Sequence, residues 1–247
     1  MKGVWTILKR EVFSFFVSPM AYVVLTVWLL WCGVSFGFVA TIVAEQGFNR
    51  GPQDDPLVYF FGQTTLFYLP LLVFVPLFTM RLLAAETDRG TIETLLTAPV
   101  NEVSVVLGKY LASLVFWLAL WVPTLLYAWL TSRYGDVDLG VLASSYLGIF
   151  GVGTYYMAIG LAMSAIARTQ IVAAILTFLA LGGLFLLGLG QFVFTEHREV
   201  FVYMSIWGHM ESFSRGVIDS RYLVFDTTLA VLGVLAAIFV LRLRRTV

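Results

Sequence analysis

Long stretches without charge dominate the hydrophobic pattern of this chain. Five stretches of 23 to 33 residues contain no Asp, Glu, Lys or Arg, and a sixth, Thr227 to Leu241, has 15. A hydrocarbon core about 30 Å thick is crossed by a helix of about 20 apolar residues. The sixth stretch reaches that length when it is extended outward to Tyr222. The pattern therefore predicts six membrane-spanning helices, at about 20–43, 58–80, 110–131, 141–166, 171–193 and 222–241.

The composition agrees with a membrane protein and excludes other classes. Of the 247 residues, 60% are hydrophobic and 12% are charged, whereas soluble domains hold about 25% charged residues. One water-soluble domain cannot bury so much apolar surface, and a disordered chain needs the opposite composition. Lys and Arg number 15, as do Asp and Glu, which argues against a nucleic-acid partner. The single cysteine, Cys32, excludes an internal disulfide.

Basic residues are divided unevenly between the two sets of connections, and this predicts the orientation of the chain. The N-terminus, residues 81–109, Arg168 and the C-terminal tail hold ten Lys and Arg, and the remaining connections hold five. Cytoplasmic loops of membrane proteins carry the excess of Lys and Arg. Both termini are therefore expected in the cytoplasm, and the expected location of this multi-pass chain is the bacterial cytoplasmic (inner) membrane.

Residues 1–17 have the pattern of a helix that lies on the membrane surface. Apolar side chains recur at helical spacing on one face, and most basic ones lie elsewhere. An apolar face toward lipid and a basic face toward anionic headgroups are typical of interfacial helices. A long first span with a charged start is the alternative, but Pro19 favours a separate helix. The residues assigned to this elbow helix at the membrane interface are Trp5, Leu8, Lys9, Arg10 and Val12.

The connection at 81–109 is the longest on the predicted cytoplasmic side, and it has a pattern of its own. Gly90 interrupts it, Thr91 is suited to cap a following helix, and Glu93 would lie in the first turn, where the helix dipole favours a carboxylate. Pro99 ends that turn. The pattern predicts a short amphipathic helix that docks into a groove on a cytoplasmic partner. An ordinary solvated loop is the alternative.

The predicted spans lack the residues that ion-coupled membrane proteins need. No Asp, Glu, His, Lys or Arg lies near the middle of a span, which argues against an autonomous ion-coupled transporter. The chain has no His-Glu-x-x-His motif and no P-loop. The two histidines, His197 and His209, are expected to be solvated residues of an outer loop rather than metal ligands. The sequence thus predicts no catalytic residue, no metal site and no cofactor held by this chain.

Two segments carry a resemblance to a known family. The stretch Glu86-Thr-Asp-Arg-Gly-Thr-Ile-Glu-Thr-Leu-Leu-Thr-Ala-Pro99, followed by Gly108-Lys109-Tyr110, resembles the permease subunits of type-2 ABC exporters. The chain is particularly similar to the gliding-motility (GldF-like) branch, which resembles the copper-maturation (NosY-like) permeases, and Ser214-Arg-Gly-Val-Ile-Asp-Ser-Arg221 supports that branch. One departure is Ala85-Glu86, where relatives often carry two adjacent acids, so one carboxylate is missing from the supposed contact.

The resemblance implies an all-α membrane protein with six transmembrane helices, an N-terminal elbow helix and a cytoplasmic coupling helix, in one permease domain over 1–247. Two permease chains, identical or different, would pair among membrane lipid and bind a cytoplasmic ABC ATPase dimer. ATP and Mg would be bound by that partner, so this chain is not expected to be an enzyme. The expected ATPase contacts are Glu86, Asp88, Arg89, Gly90, Thr91, Ile92, Glu93, Thr94 and Arg168.

The expected function is to couple ATP hydrolysis by the separate ATPase to export, or to conformational transmission across the membrane, with a link to gliding motility. The outer segment 195–220 would hold short re-entrant or surface helices, and it would face any periplasmic partner. The alternative function is a non-energised membrane scaffold or assembly protein of an envelope complex. An intramembrane enzyme would need a polar catalytic set, which the spans lack.

Overall fold

A computed structural model describes residues 2–45, 56–62, 68–91, 101–133, 137–194 and 196–246. All regular elements in these ranges are helical, and the prediction of an all-α membrane protein is confirmed. Two short 3-10 turns, Val122–Thr124 and Gly190–Phe192, interrupt or extend longer helices. The α-helices described are α1 (Lys2–Val17), α2 (Pro19–Glu45), α3 (Pro56–Gly62), α4 (Leu71–Thr79), α5 (Ala84–Asp88), α6 (Glu102–Trp121), α7 (Leu125–Thr131), α8 (Leu139–Ile166), α9 (Gln170–Leu189), α10 (Arg198–Met204), α11 (Ile206–Ser214) and α12 (Ser220–Thr246).

Five helical segments of the described chain are long and apolar enough to cross a membrane. They are α2, the continuous run of α6 and α7, α8, α9 with its 3-10 extension, and α12. The second predicted span, 58–80, corresponds to α3 and α4, and residues 63–67 between them lie outside the described residues. Pro70 stands at the N-cap of α4 and Pro76 lies within that helix, so a proline-containing helix leads to the connection at 81.

Polar side chains start four of the helices in the way that helix ends require. The first backbone N–H groups of a helix have no partner inside it, and a preceding Asn, Asp, Ser or Thr can accept from them. Asn101 accepts from the N–H of Val103 before α6, and Asp138 accepts from Gly140 before α8. Thr169 and Ser205 do the same for α9 and α11.

Helix α8 forms the centre of the bundle. In its most apolar window 72% of the residues are buried, against 22% in α2 and α12, so most of the surface of these outer helices is not covered by the rest of the described chain. Small residues let membrane helices approach closely. A Cβ on Gly153 would collide with the Trp117 indole nitrogen, and one on Gly160 would collide with the Thr79 hydroxyl. The glycines of α8 therefore serve helix packing.

Four segments meet at one end of the bundle, which we call the basic end. Arg244, near the end of α12, donates to the Thr87 hydroxyl at 2.8 Å and to the carbonyl oxygens of Ile166 and Ala167 at 3.1 Å. Arg245 forms an ion pair with Glu102. The 81–91 segment, the start of α6, the turn after α8 and the C-terminal helix therefore share one end, as the alternation of predicted spans requires.

Candidate functional site

The short helix α5 begins against the central helix of the bundle. Its first backbone N–H groups, those of Leu83 and Ala84, both donate to the Ser164 hydroxyl at 3.0 Å. Leu83, at the N-cap, offers no side-chain acceptor, so Ser164 of α8 takes the role that a capping residue has in most helices. This contact fixes the start of α5 to α8.

The end of α5 is closed by a glycine turn. The Gly90 N–H donates to the Thr87 carbonyl at 3.1 Å, and the Thr91 N–H donates to the Glu86 carbonyl at 2.9 Å. This pair of hydrogen bonds is a Schellman motif, which needs a left-handed residue just after the helix. Gly90 has φ +70°, and glycine adopts that conformation without a steric cost. Both ends of α5 are therefore defined.

Four charged side chains, Arg10, Glu11, Glu86 and Lys109, form a cluster between α1, α5 and α6, which we call the charge cluster. The Lys109 ammonium lies 2.9 Å from Glu86 Oε1 and 3.1 Å from Glu11 Oε1. The Arg10 guanidinium lies 3.0 Å from Glu11 and 3.6 Å from Glu86. Two cations and two carboxylates alternate, so the cluster is neutral and joins three elements that are distant in sequence.

Three of the four side chains of the charge cluster are largely buried, so their ion pairs differ from ordinary surface contacts. The Lys109 side chain is 1% exposed and those of Glu11 and Glu86 are 16% and 20% exposed. A charge that is taken out of water needs a partner close by. The second oxygen of Glu86, Oε2, is buried without a hydrogen-bond donor among the described residues. Glu86, predicted to contact the ATPase, is thus held mainly by internal cations.

Five of the other predicted contact residues are exposed in the structure. Four of them lie at the glycine turn, namely Asp88, Arg89, Gly90 and Thr91, and Arg168 lies in the turn between α8 and α9. These two turns approach one another, because the Gln170 amide lies 3.5 Å from Asp88 Oδ2.

Three further predicted contacts, together with the predicted amphipathic helix, lie outside the described residues. The residues concerned are Ile92, Glu93 and Thr94.

The N-terminal helix α1 packs on α6 instead of standing apart from the bundle. A Cβ on Gly108 would lie 2.8 Å from the Ile7 side chain, so glycine permits this close approach. Among the predicted elbow residues, Leu8 and Val12 are half-buried, whereas Trp5, Lys9 and Arg10 are exposed.

The side of α1 that packs on the bundle includes Ile7, which is 8% exposed. Trp5, which the sequence pattern assigns to the lipid-facing side, is 59% exposed, and the Lys9 ammonium lies 5.2 Å from the centroid of its ring. The lipid-facing role of this side stays a prediction.

A buried histidine, close to a buried carboxyl group, lies where solvated histidines were expected. His197 is exposed, but His209 and Asp226 are 0% and 1% exposed. The ring of His209 lies with Nδ1 3.1 Å from Asp226 Oδ1 and Nε2 2.8 Å from the Tyr203 carbonyl. The solvated-loop prediction is therefore wrong for His209. It failed because Asp226, the partner that stabilises a buried histidine, lies on a different helix.

Neither a metal-ligating cluster nor a strand-to-helix nucleophile turn is formed by the described residues. No three His, Cys, Asp or Glu residues of the described ranges are grouped so that they could hold a metal ion. A Gly-x-Ser-x-Gly pattern at Gly33–Gly37 lies within the long helix α2. That pattern marks a nucleophile only on a sharp strand-to-helix turn, so it carries no catalytic meaning here.

Sequence reasoning missed several residues of the basic end. Lys109 was seen only as part of a matching segment, and Ser164 and Arg244 were not singled out. A signal for Lys109 existed, since a lysine eight residues into a largely apolar helix requires a counter-charge nearby. No comparable signal marks Ser164, because serine is common in membrane helices and its partners are backbone groups 80 and 81 residues away.

Comparison with known proteins adds one finding. A family model described as ABC-2 family transporter protein matches residues 37–197, which is more than half of the 247-residue chain. The matched region includes α5, Lys109 and the turn with Arg168. A search of the curated proteins gives no match.

Proposed function

The chain belongs to the ABC-2 family of transporter proteins, and we propose that a separate cytoplasmic ATPase drives it through the basic end. Membership supports a membrane-spanning permease component of an ABC transporter. In this proposal ATP and Mg are bound by the ATPase, and this chain contributes the moving part in the membrane. The proposal also takes up the GldF-like resemblance: two paired permease chains, an inner-membrane location with cytoplasmic termini, and a link to gliding motility.

The observation that carries the proposal is the way in which α5 is fastened. Ser164 of α8 binds the start of α5, Lys109 of α6 binds Glu86, and Arg244 of α12 binds Thr87. We call these side chains, together with Glu86, the fasteners of α5. A force applied to α5 would therefore reach three membrane-spanning helices directly through hydrogen bonds and ion pairs. An ordinary solvated loop would not need such fastening, which favours a coupling element over the loop alternative.

The proposed docking surface consists of the exposed side of the glycine turn and the neighbouring turn that holds Arg168. Asp88 and Arg89 present opposite charges next to one another, and both are exposed. The proposal extends this surface to the adjoining Ile92, Glu93 and Thr94. Glu86 receives a different role from the expected one, since its contacts make it a fastener of α5 rather than a docking residue.

Coupling requires that the ATPase binds the two conformations of the permease with different affinities. The docking surface and the fasteners would then have separable effects. Altering the docking surface should weaken association with the ATPase, whereas altering the fasteners should spare association and reduce the transfer of motion. A driven permease would show this separation. A scaffold would not, because neither its association with partners nor its conformation would depend on nucleotide.

The test is purification of the tagged chain in mild detergent, followed by identification and quantification of any co-purifying ATPase. The variant Asp88→Arg/Arg89→Asp exchanges two exposed charges without changing the net charge. We expect it to lower ATPase recovery by at least about tenfold, equivalent to about 1.4 kcal/mol of binding free energy.

A matched control makes the same exchange at the other end of the bundle. Glu211 and Arg215 form an exposed ion pair there at 2.7 Å, with side chains 51% and 49% exposed, and the variant Glu211→Arg/Arg215→Glu should leave ATPase recovery unchanged. Equal recovery with both variants, or a chain that captures no ATPase in the wild-type form, would refute the proposal.

A further inference from the structure

A cavity of about 630 Å³ opens at the basic end between α1 and α5. This volume falls within the range of about 300–1,000 Å³ that is typical of small-molecule sites. The charge cluster forms part of its wall, and two more arginines, Arg81 and Arg89, line it as well. The cavity therefore lies against both the N-terminal helix and the proposed coupling helix.

The charge balance of this cavity favours an anionic occupant. The charge cluster neutralises itself, because two cations face two carboxylates. Arg81 and Arg89 form no ion pair with a carboxylate of the described part of the chain. Arg81 is instead held by neutral partners, the Ser18 hydroxyl at 3.2 Å and the Met20 sulfur at 3.4 Å. The cavity thus has an excess of two positive charges among its described lining residues.

An apolar groove adjoins the charged cavity. It runs between the start of α2, α4 and α6 and is lined by Ala21, Val24, Leu77 and Phe78, among others. Three residues, Phe15, Ser18 and Arg81, belong to both the groove and the cavity. The groove encloses only about 20 Å³, so it accommodates the first methylenes of an acyl chain while the remainder lies in the bilayer.

We propose that this joined pair of sites binds one anionic phospholipid, with its phosphate near Arg81 and Arg89 and the top of an acyl chain along the groove. A phosphate prefers arginine because the planar guanidinium offers paired donors. Arg81 stands between the charged and apolar parts, where the glycerol backbone of a lipid would lie. The proposal depends on the chain spanning a membrane. It shares Arg89 with the proposed docking surface, but its test uses Arg81, which lies outside that surface, and needs no ATPase.

A bound lipid would connect the N-terminal helix with the connection after the second predicted span. Its headgroup would lie between α1 and the turn after α5, and its acyl chain would lie beside α2 and α4. The lipid would therefore fill the space between α1 and α5, next to the charge cluster that joins these two helices. An anionic lipid would then stabilise the folded chain against heat.

The experiment uses the full chain, delipidated in detergent and titrated with phosphatidylglycerol, with phosphatidylcholine of the same acyl chains, or with glycerol phosphate. Native mass spectrometry counts the retained lipid, and thermal unfolding gives its stabilising effect. We expect one tightly retained phosphatidylglycerol, weak retention of phosphatidylcholine, and no stabilisation by glycerol phosphate. Higher ionic strength should weaken the retention of phosphatidylglycerol by the wild-type chain, because salt screens exposed charges.

The variant Arg81→Gln removes the central cation, and Arg133→Gln removes an exposed arginine at the opposite end as a matched control. Arg81→Gln should weaken phosphatidylglycerol binding about fivefold, the effect of one basic residue near an anionic lipid surface, and Arg133→Gln should not. Equal binding by both variants would overturn the proposal, as would equal retention of phosphatidylcholine. Equal stabilisation by glycerol phosphate would also overturn it, because it would indicate a site for free anions.

Discussion

Replacing Lys109 by methionine would remove the ammonium group that joins Glu11 to Glu86. Methionine has a similar length and fits the apolar surroundings of α6, so the change acts mainly on charge. The two carboxylates would then face each other with Arg10 as their remaining cation in the charge cluster. Since Arg10 lies 3.6 Å from Glu86, it compensates only part of the loss.

The magnitude follows from how far each partner is buried. Removing one member of a fully buried ion pair costs about 3–5 kcal/mol, whereas an exposed pair contributes about 0.2–1 kcal/mol. Lys109 is 1% exposed, but its partners are 16% and 20% exposed, so we expect a loss of about 2 kcal/mol from the values for both classes. For a chain of this size the melting temperature should fall by roughly 4–8 °C.

Thermal unfolding in detergent measures the loss of stability. Under the proposed coupling, the stimulation of the co-purified ATPase measures the loss of transmitted motion. Lys109→Met should retain the ATPase partner and lower the stimulation of its activity, because α5 loses a fastener while the docking surface is intact. Arg215→Met breaks the exposed pair with Glu211 and serves as the control. The reasoning fails if both variants melt within 1 °C of each other, a difference that corresponds to roughly 0.5 kcal/mol or less.

Three other substitutions test separate contacts. Ser164→Ala should destabilise the chain by about 1 kcal/mol through loss of the acceptor at the start of α5, and it should reduce ATPase stimulation. The control Ser145→Ala removes only a hydrogen bond within α8 and should leave that stimulation unchanged. Gly90→Ala should destabilise the chain by about 1–2 kcal/mol because residue 90 has a left-handed backbone. Gly182→Ala, with no atom near the added Cβ, should not, so equal melting temperatures of the two variants would contradict the prediction. His209→Phe should cost about 1–3 kcal/mol, because the buried Asp226 carboxyl would lose the polar ring atom that lies 3.1 Å from its Oδ1, and an unchanged melting temperature would show that the pair contributes little.

The sequence was sufficient for the membrane-spanning pattern because that pattern depends on local composition. A helix in lipid must be apolar along its length, and this requirement is visible in the chain without any tertiary information. The second predicted span was harder to judge, since α4 contains Pro76 and residues 63–67 lie outside the described residues. Proline interrupts the backbone hydrogen bonds of a helix, and composition alone does not show how the chain responds.

The sequence singled out the connection that holds the candidate site, but not the contacts within that site. The connection at 81–109 stood out through its glycine, its charges and its length. The pairing of Glu86 with Lys109 and Glu11 could not be foreseen, because these residues are 23 and 75 positions from Glu86 and meet only after α1 packs on α6. The same holds for His209 and Asp226, whose helices approach through the fold.

The neutrality of the charge cluster has a consequence for the energetics of movement in an energised membrane. Displacing one elementary charge across a potential of 100 mV costs about 2.3 kcal/mol. Arg10 and Lys109 balance Glu11 and Glu86, so the charge cluster adds no net charge to the movement of α5 that we propose. The membrane voltage would therefore neither help nor oppose a displacement of these four side chains.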